Sequence, residues 1–296
     1  EIQLAESDGE IANLQARLGQ ILEGQLGDRK AAVETYREIL TNHPTHEAAM
    51  SALENMFHAG HLQLEIGNVL EPLYDAAGEF GKLHAIHEVQ LQKLVGPDRQ
   101  AMYQRLAELA ETRLYDQTKA LTWWCEALVE DPKWERALEE SERLAGETGA
   151  WPDMVSAYTR ALERSSAPTD KETRRGTLLR LARVYEFELH DAAHAVETHL
   201  AALEIAPKDA DALAALDRLY LNAGMYDDLA EILRRRIEVV NDPDEQIELY
   251  FRRGAIFSDA LGDLDQALKC YTAVLDQESR NRRALESIET IHFLKE

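Results

Sequence analysis

The chain has 296 residues, 45% hydrophobic and 29% charged, a mixture too apolar for a disordered segment and sufficient for a sizeable core. Its formal net charge of -23 excludes the dense Lys and Arg surface that nucleic acid or an anionic membrane requires, and favours a basic or amphipathic partner. Two cysteines, Cys125 and Cys270, supply neither a disulfide framework nor a zinc site, so a reducing, cytoplasmic compartment is expected. No stretch approaches the roughly 18 to 20 uninterrupted apolar residues of a membrane helix. The opening "EIQLAESDGEIANLQARL" lacks the basic start and apolar run of a signal peptide.

In chain order, a first helix pair is predicted over about 11–44, where Leu18 and Gly19 lie on one helix and "LGDRKAAVETYREILTNHP" forms the next. Asp28 suits an N-cap, Ala32, Tyr36 and Leu40 share a buried face, and Pro44 stops the helix. "AAMSALENMFHAG" then reads as an inserted helix ending near Gly60, and 64–95 as a degenerate pair in which Pro72 either kinks a helix or opens one. A second well-matched pair covers 99–132, with Leu106, Ala107, Asp116, Ala120, Trp124, Leu128 and Pro132 in the corresponding places. A third covers 172–207, with Leu181, Ala182, Asp191, Ala195, His199, Leu203 and Pro207. The fourth, 245–279, has Arg253, Gly254, Asp263, Ala267, Tyr271 and Leu275, but Ser279 where the others have proline.

Fourteen residues separate the anchor from the recurrent alanine in every copy, and the alanines themselves recur after 88, 75 and 72 residues. Such fixed offsets predict antiparallel helix pairs in which a small residue on one helix faces a small residue on the next. "RALEESERLAGETG" and "DALAALDRLYLNAG" are further helices between the matched pairs, closing at Gly149 and Gly224. Linkers carry helix-start signals: a capping box from Thr169 to Glu172, and Asp242, Pro243 and Glu245 as cap, first residue and closing acid. The loop before Asp191 reads as one residue longer than usual.

"LARVYEFELHDAAHAVETHLAALEIAP" shows Leu, small, aromatic, then Ala, ring, Ala, Pro, and on these residues the chain resembles the tetratricopeptide repeat family over nearly its whole length. The resemblance implies an all-α fold, a right-handed superhelical solenoid over 1–296 in which well-matched and degenerate pairs alternate. It is similar to bacterial arrays that act as adaptors and implies a piece of a longer array. It further implies that the first helix of each pair lines a concave surface, placing Gln20, Glu23 and Gly24, Glu108, Glu111 and Thr112, Arg183, Glu186 and Phe187, and Ala255, Ser258 and Asp259 on it. Glu23, Glu111 and Glu186 then form a ladder of carboxylates, either a docking surface for a basic or Arg-bearing helix or a solvated face of good helix formers. Chaperone-binding members use a Lys/Asn clamp for a terminal carboxylate. The Asn places here are Gln20, Glu108, Arg183 and Ala255, so that clamp is absent.

Chemistry-bearing motifs are missing: there is no GxSxG, GxGxxG, GxxxxGK[ST], HExxH or CxxC, so no enzyme, cofactor or metal site is expected. His190 and His194 are spaced to share a metal but lack a third ligand, and like His84 and His87 they read as packing or surface histidines. Trp124 takes the ring place and belongs in the core. Trp123 aligns with Thr35, Thr198 and Cys270, and is either a partner anchor or a filler between helices. Arg174, Arg175, Arg234, Arg235, Arg236, Arg280, Arg282 and Arg283 form either a second, basic surface or ordinary surface pairs. The last helix, 280–296, has an apolar face with no successor and implies array continuation or self-association. The function these readings favour is a non-enzymatic protein-interaction scaffold or adaptor; the alternative is a positioning domain of a larger signalling or enzymatic protein.

Overall fold

The structure, a computed structural model, describes residues 7–164 and 170–295. Those residues form helices and turns and, among them, no strand. They divide into two compact units: one takes the described residues up to Glu130 with Trp134–Ala150, the other Asp131–Lys133 and the described residues from Trp151 onward.

The first unit contains α1 (Asp8–Gly24), α2 (Arg29–Asn42), α3 (Glu47–His58), α4 (Gln63–Ala77), α5 (Phe80–Leu91), α6 (Gly96–Thr112), α7 (Gln117–Glu130) and α8 (Glu135–Thr148). α1 with α2 and α6 with α7 form the closest pairs, α4 packs on α5, and α3 lies against α1, α2 and α4. Pro72 lies inside α4 rather than at a helix start.

The second unit contains α9 (Trp151–Arg164), α10 (Lys171–Arg183), α11 (Ala192–Ile205), α12 (Ala210–Ala223), α13 (Tyr226–Val239), α14 (Pro243–Ala255), α15 (Leu264–Gln277) and α16 (Arg282–Lys295). Two π-helical turns, Val184–Glu188 and Ile256–Ala260, extend α10 and α14. Pairs form between α10 and α11, α12 and α13, and α14 and α15.

Each of the four matched pairs turns in the same way. The amides of Leu26, Leu114, Leu189 and Leu261 donate to the carbonyls five residues back, at 3.0 to 3.1 Å. Those of Asp28, Asp116, Asp191 and Asp263 donate to the carbonyls six back, at 2.8 to 2.9 Å. The residue in between is left-handed: Gly27, Tyr115, His190 and Gly262, with φ of 68°, 53°, 54° and 70°. The turn before Asp191, expected to be one residue longer than usual, thus has the same form in all four copies. Each aspartate then caps the following helix, accepting from the amides of Ala31, Lys119, His194 and Gln266 at 2.9 to 3.1 Å.

The core corrects the expected small-on-small packing. A β-carbon on Gly19 would lie 2.5 Å from the Tyr36 ring, and one on Gly254 2.6 Å from that of Tyr271. In these two copies the glycine receives the ring of the partner helix, and the recurrent alanines Ala32, Ala120, Ala195 and Ala267 are fully buried. Leu106 and Leu181 are core residues, but Leu18 is 41% exposed. Arg253, standing in the anchor leucine's place, donates to the Ala230 carbonyl at 3.0 Å and lies over the Phe257 ring.

Two expected caps also change. Thr169 lies outside the described residues, and α10 is capped by Asp170, which accepts from the Thr173 amide and hydroxyl. Asp242 caps α14 with Pro243 as first residue, but Glu245 does not close a box; it lies 3.3 Å from the Arg236 guanidinium. Cys125 in α7 and Cys270 in α15 are buried, and burial pushes the Cys270 thiol up against the opposing pull of Arg253. No helix among the described residues is long and apolar enough to cross a membrane.

Candidate functional site

In the first unit α1 presents Gln20 and Glu23, and α6 presents Glu108 and Glu111. Glu111 is bound on both oxygens by Arg143 of α8, at 2.8 and 2.9 Å, and Arg143 also reaches Glu140 and Glu147. Glu108 accepts from Gln104 and from Arg136, at 2.9 and 2.7 Å. In the second unit Arg218 of α12 grips Glu186 through Nε and Nη2, both at 2.9 Å. Both clamps join residues 32 positions apart. The same step from Glu23 leads to Asn55, which has no charge to offer. The three glutamates are thus unequal rungs: two are neutralised within the fold, and Glu23 is not clamped by an arginine. Burial, and then Glu23, push the Tyr36 phenol up to about 12.

Trp123, expected either as a partner anchor or as a filler between helices, is half-buried against α5. Its indole N–H donates to His84 Nε2 at 3.0 Å, and its ring lies against those of His84 and Tyr103. Burial lowers the His84 pKa to about 4, so this ring is neutral and accepts at Nε2. His87 is buried against Glu71. His194 stacks on Tyr185 and binds Asp191, with His190 in the turn before it. No group of three or more His, Cys, Asp or Glu among the described residues is placed to hold a metal ion.

The expected arginine cluster resolves mostly into internal contacts. Arg174 donates to the Leu162 carbonyl, Arg175 to Glu172 and Asp209, Arg234 to Glu231 and Glu238, and Arg235 to the Pro207 carbonyl. Arg282 pairs with Glu286 and Arg283 with Glu248. Arg236 and Arg252 share Asp217, whose carboxylate is buried between α12, α13 and α14. On α16, Phe293 and Leu294 are 77% and 61% exposed.

The residues drawn together most closely are those of the third copy. Arg183, Glu186 and Phe187 line one groove of about 640 Å³ between α10 with its π turn and α12, floored by Gly176, Ala214 and Ala215. The π turn adds a residue to the helical circuit at the point where Phe187 stands. Its ring is 51% exposed, and the Arg218 guanidinium lies 5.4 Å from its centroid. His199, in the ring place, also lines the groove; it is buried, and neither of its ring nitrogens has a hydrogen-bond partner among the described residues. Burial lowers its pKa, with Glu186 opposing.

Sequence reasoning missed Arg143 and Arg218, although a signal existed: each is the sixth residue after a recurrent alanine, Ala137 and Ala212.

Two segments match family models described as tetratricopeptide repeat: residues 17–46 and residues 212–247. The first is the α1–α2 pair; the second is α12 with α13, in a stretch that reads as degenerate from sequence. No curated protein matches the chain. Among solved structures, the C-terminal part of a TPR repeat-containing protein from Cytophaga hutchinsonii is 14% identical, with 86% of this chain and 98% of that one covered and a TM-score of 0.38. YrrB, described as a TPR protein with an unusual peptide-binding site, is 17% identical over 64% of this chain and 91% of its own, TM-score 0.36. The TPR2AB domain of yeast Sti1, in a complex with pHSP90, is 14% identical over 96% of this chain and 98% of its own, TM-score 0.28.

Proposed function

We propose that this chain, a tetratricopeptide-like helical repeat protein, is a non-catalytic scaffold that holds a segment of another protein against the α10–α12 groove. One observation carries the reading: an exposed aromatic ring, Phe187, stands over a floor of small residues beside a guanidinium clamp. A half-exposed ring in a groove gives a partner apolar area to cover, and small floor residues leave room for the covering side chain. The bound charges contribute little by comparison, since exposed pairs are each worth about 0 to 1 kcal/mol.

The carboxylate rungs act in this reading as preset contacts. Glu186 holds Arg218 over the ring, and within the first unit Glu111 of α6 holds Arg143 of α8. Glu23 with Gln20 is the acidic position left to meet a basic side chain. A photo-crosslinking amino acid at position 187 in the full chain, with one at the exposed Glu139 of α8 as control, tests the proposal. Adducts with one defined protein from 187 and not from 139 are expected; equal adducts from both positions contradict it.

A further inference from the structure

The groove that the proposed function assigns to a partner presents an exposed arginine, Arg183, in an acidic chain. Three arginines, Arg180, Arg183 and Arg218, border it against two carboxylates, Glu186 and Asp211, in a protein whose net charge is -23. Arg218 is committed to Glu186. Arg183 is exposed at the end of α10 and makes no ion pair among the described residues. Four residues on, Phe187 lies on the same side of the helix, so a fixed cation and an exposed ring stand about one turn apart. Below them His199 is a buried polar side chain with neither nitrogen bonded.

We infer that the α10–α12 groove selects a partner segment in which an acidic side chain stands next to a bulky apolar one. This rests on the reading of the groove as a docking site and adds the chemistry of its occupant. The carboxylate meets the Arg183 fork, for which a planar two-oxygen anion is the matching shape, and the apolar side chain covers Phe187 over Gly176, Ala214 and Ala215. A basic segment, which the overall charge favours, would bring its cation against Arg183. Like charges so juxtaposed oppose binding, so the groove discriminates by sign.

The test uses the full chain and three sets of short synthetic peptides, identical except for one position that is Glu, Gln or Lys, beside a fixed Leu. Binding is read by fluorescence anisotropy at low and moderate salt. The wild-type chain is expected to bind the Glu set at least about tenfold more tightly than the Gln set, with the Lys set weakest. Arg183→Glu should reverse the order of Glu and Lys, whereas Phe187→Ala should weaken all three alike. Arg183 is exposed and makes no ion pair among the described residues, so circular dichroism of its variant should match wild type. Equal binding of the Glu and Gln sets overturns the acidic selection and leaves the docking reading standing if Phe187→Ala still weakens both. Absence of binding by every set overturns both.

Discussion

Single residues set where the repeat is tight and where it is strained. Because Gly19 receives the Tyr36 ring at a distance no β-carbon tolerates, Gly19→Ala must displace a buried aromatic, and a loss of about 1 to 3 kcal/mol is expected in chemical denaturation. Gly9 has open space around it, so Gly9→Ala in the same helix serves as the control. Tyr115 and His190 occupy left-handed positions filled by glycine in the other two copies. Tyr115→Gly should therefore stabilise by up to about 1 kcal/mol, with Gly262→Ala costing a similar amount, both read from urea midpoints. His84 gives a pH dependence with a definite sign. Its folded pKa, about 4, is below the ordinary value of 6.5, so folding favours the neutral ring. Stability is unaffected above about pH 6.5 and is lost as pH falls from there toward 4, by on the order of 2 kcal/mol. His84→Gln should flatten that part of the Tm-against-pH curve, and buried His199, shifted the same way, should leave a residual slope.

At the scale of elements, what could be read from the sequence was what repeats locally. The cap aspartates, the buried ring, the alanine beneath it and the terminating prolines all act within one helix pair, so their spacing alone locates them. The contacts that could not be read are those made across pairs. Asp217 is paired with Arg236 and Arg252 from two later helices, and Glu186 with Arg218 across the groove; side-chain direction decides these, and spacing hints only at Arg218, six residues after Ala212. The candidate site was legible to the same extent. Arg183, Glu186 and Phe187 do line one groove, but the guanidinium that neutralises Glu186 comes from another pair, and Trp123 donates to a histidine from the preceding, degenerate pair. Asp217→Ala leaves two guanidinium groups without their shared buried carboxylate, and a loss of about 3 to 5 kcal/mol is expected on the scale of broken buried pairs.

For the molecule as a whole, stability in stacked helix pairs is close to a sum of each pair's own stability and its nearest-neighbour contacts. The effect of Asp217→Ala should then be regional. Amide exchange should quicken in α12, α13 and α14, while α1 and α2, whose core is their own and that of α3 to α5, keep their protection. Uniform loss of protection from α1 to α16 would contradict this additive picture.

The two cysteines bear on that last measurement. Cys125 and Cys270 are both concealed, one in each compact unit. Each thiolate becomes available to an alkylating reagent only when its own helix opens, so the native sequence already carries two independent clocks. Mass-resolved alkylation would time the fluctuations of either half without a single engineered probe.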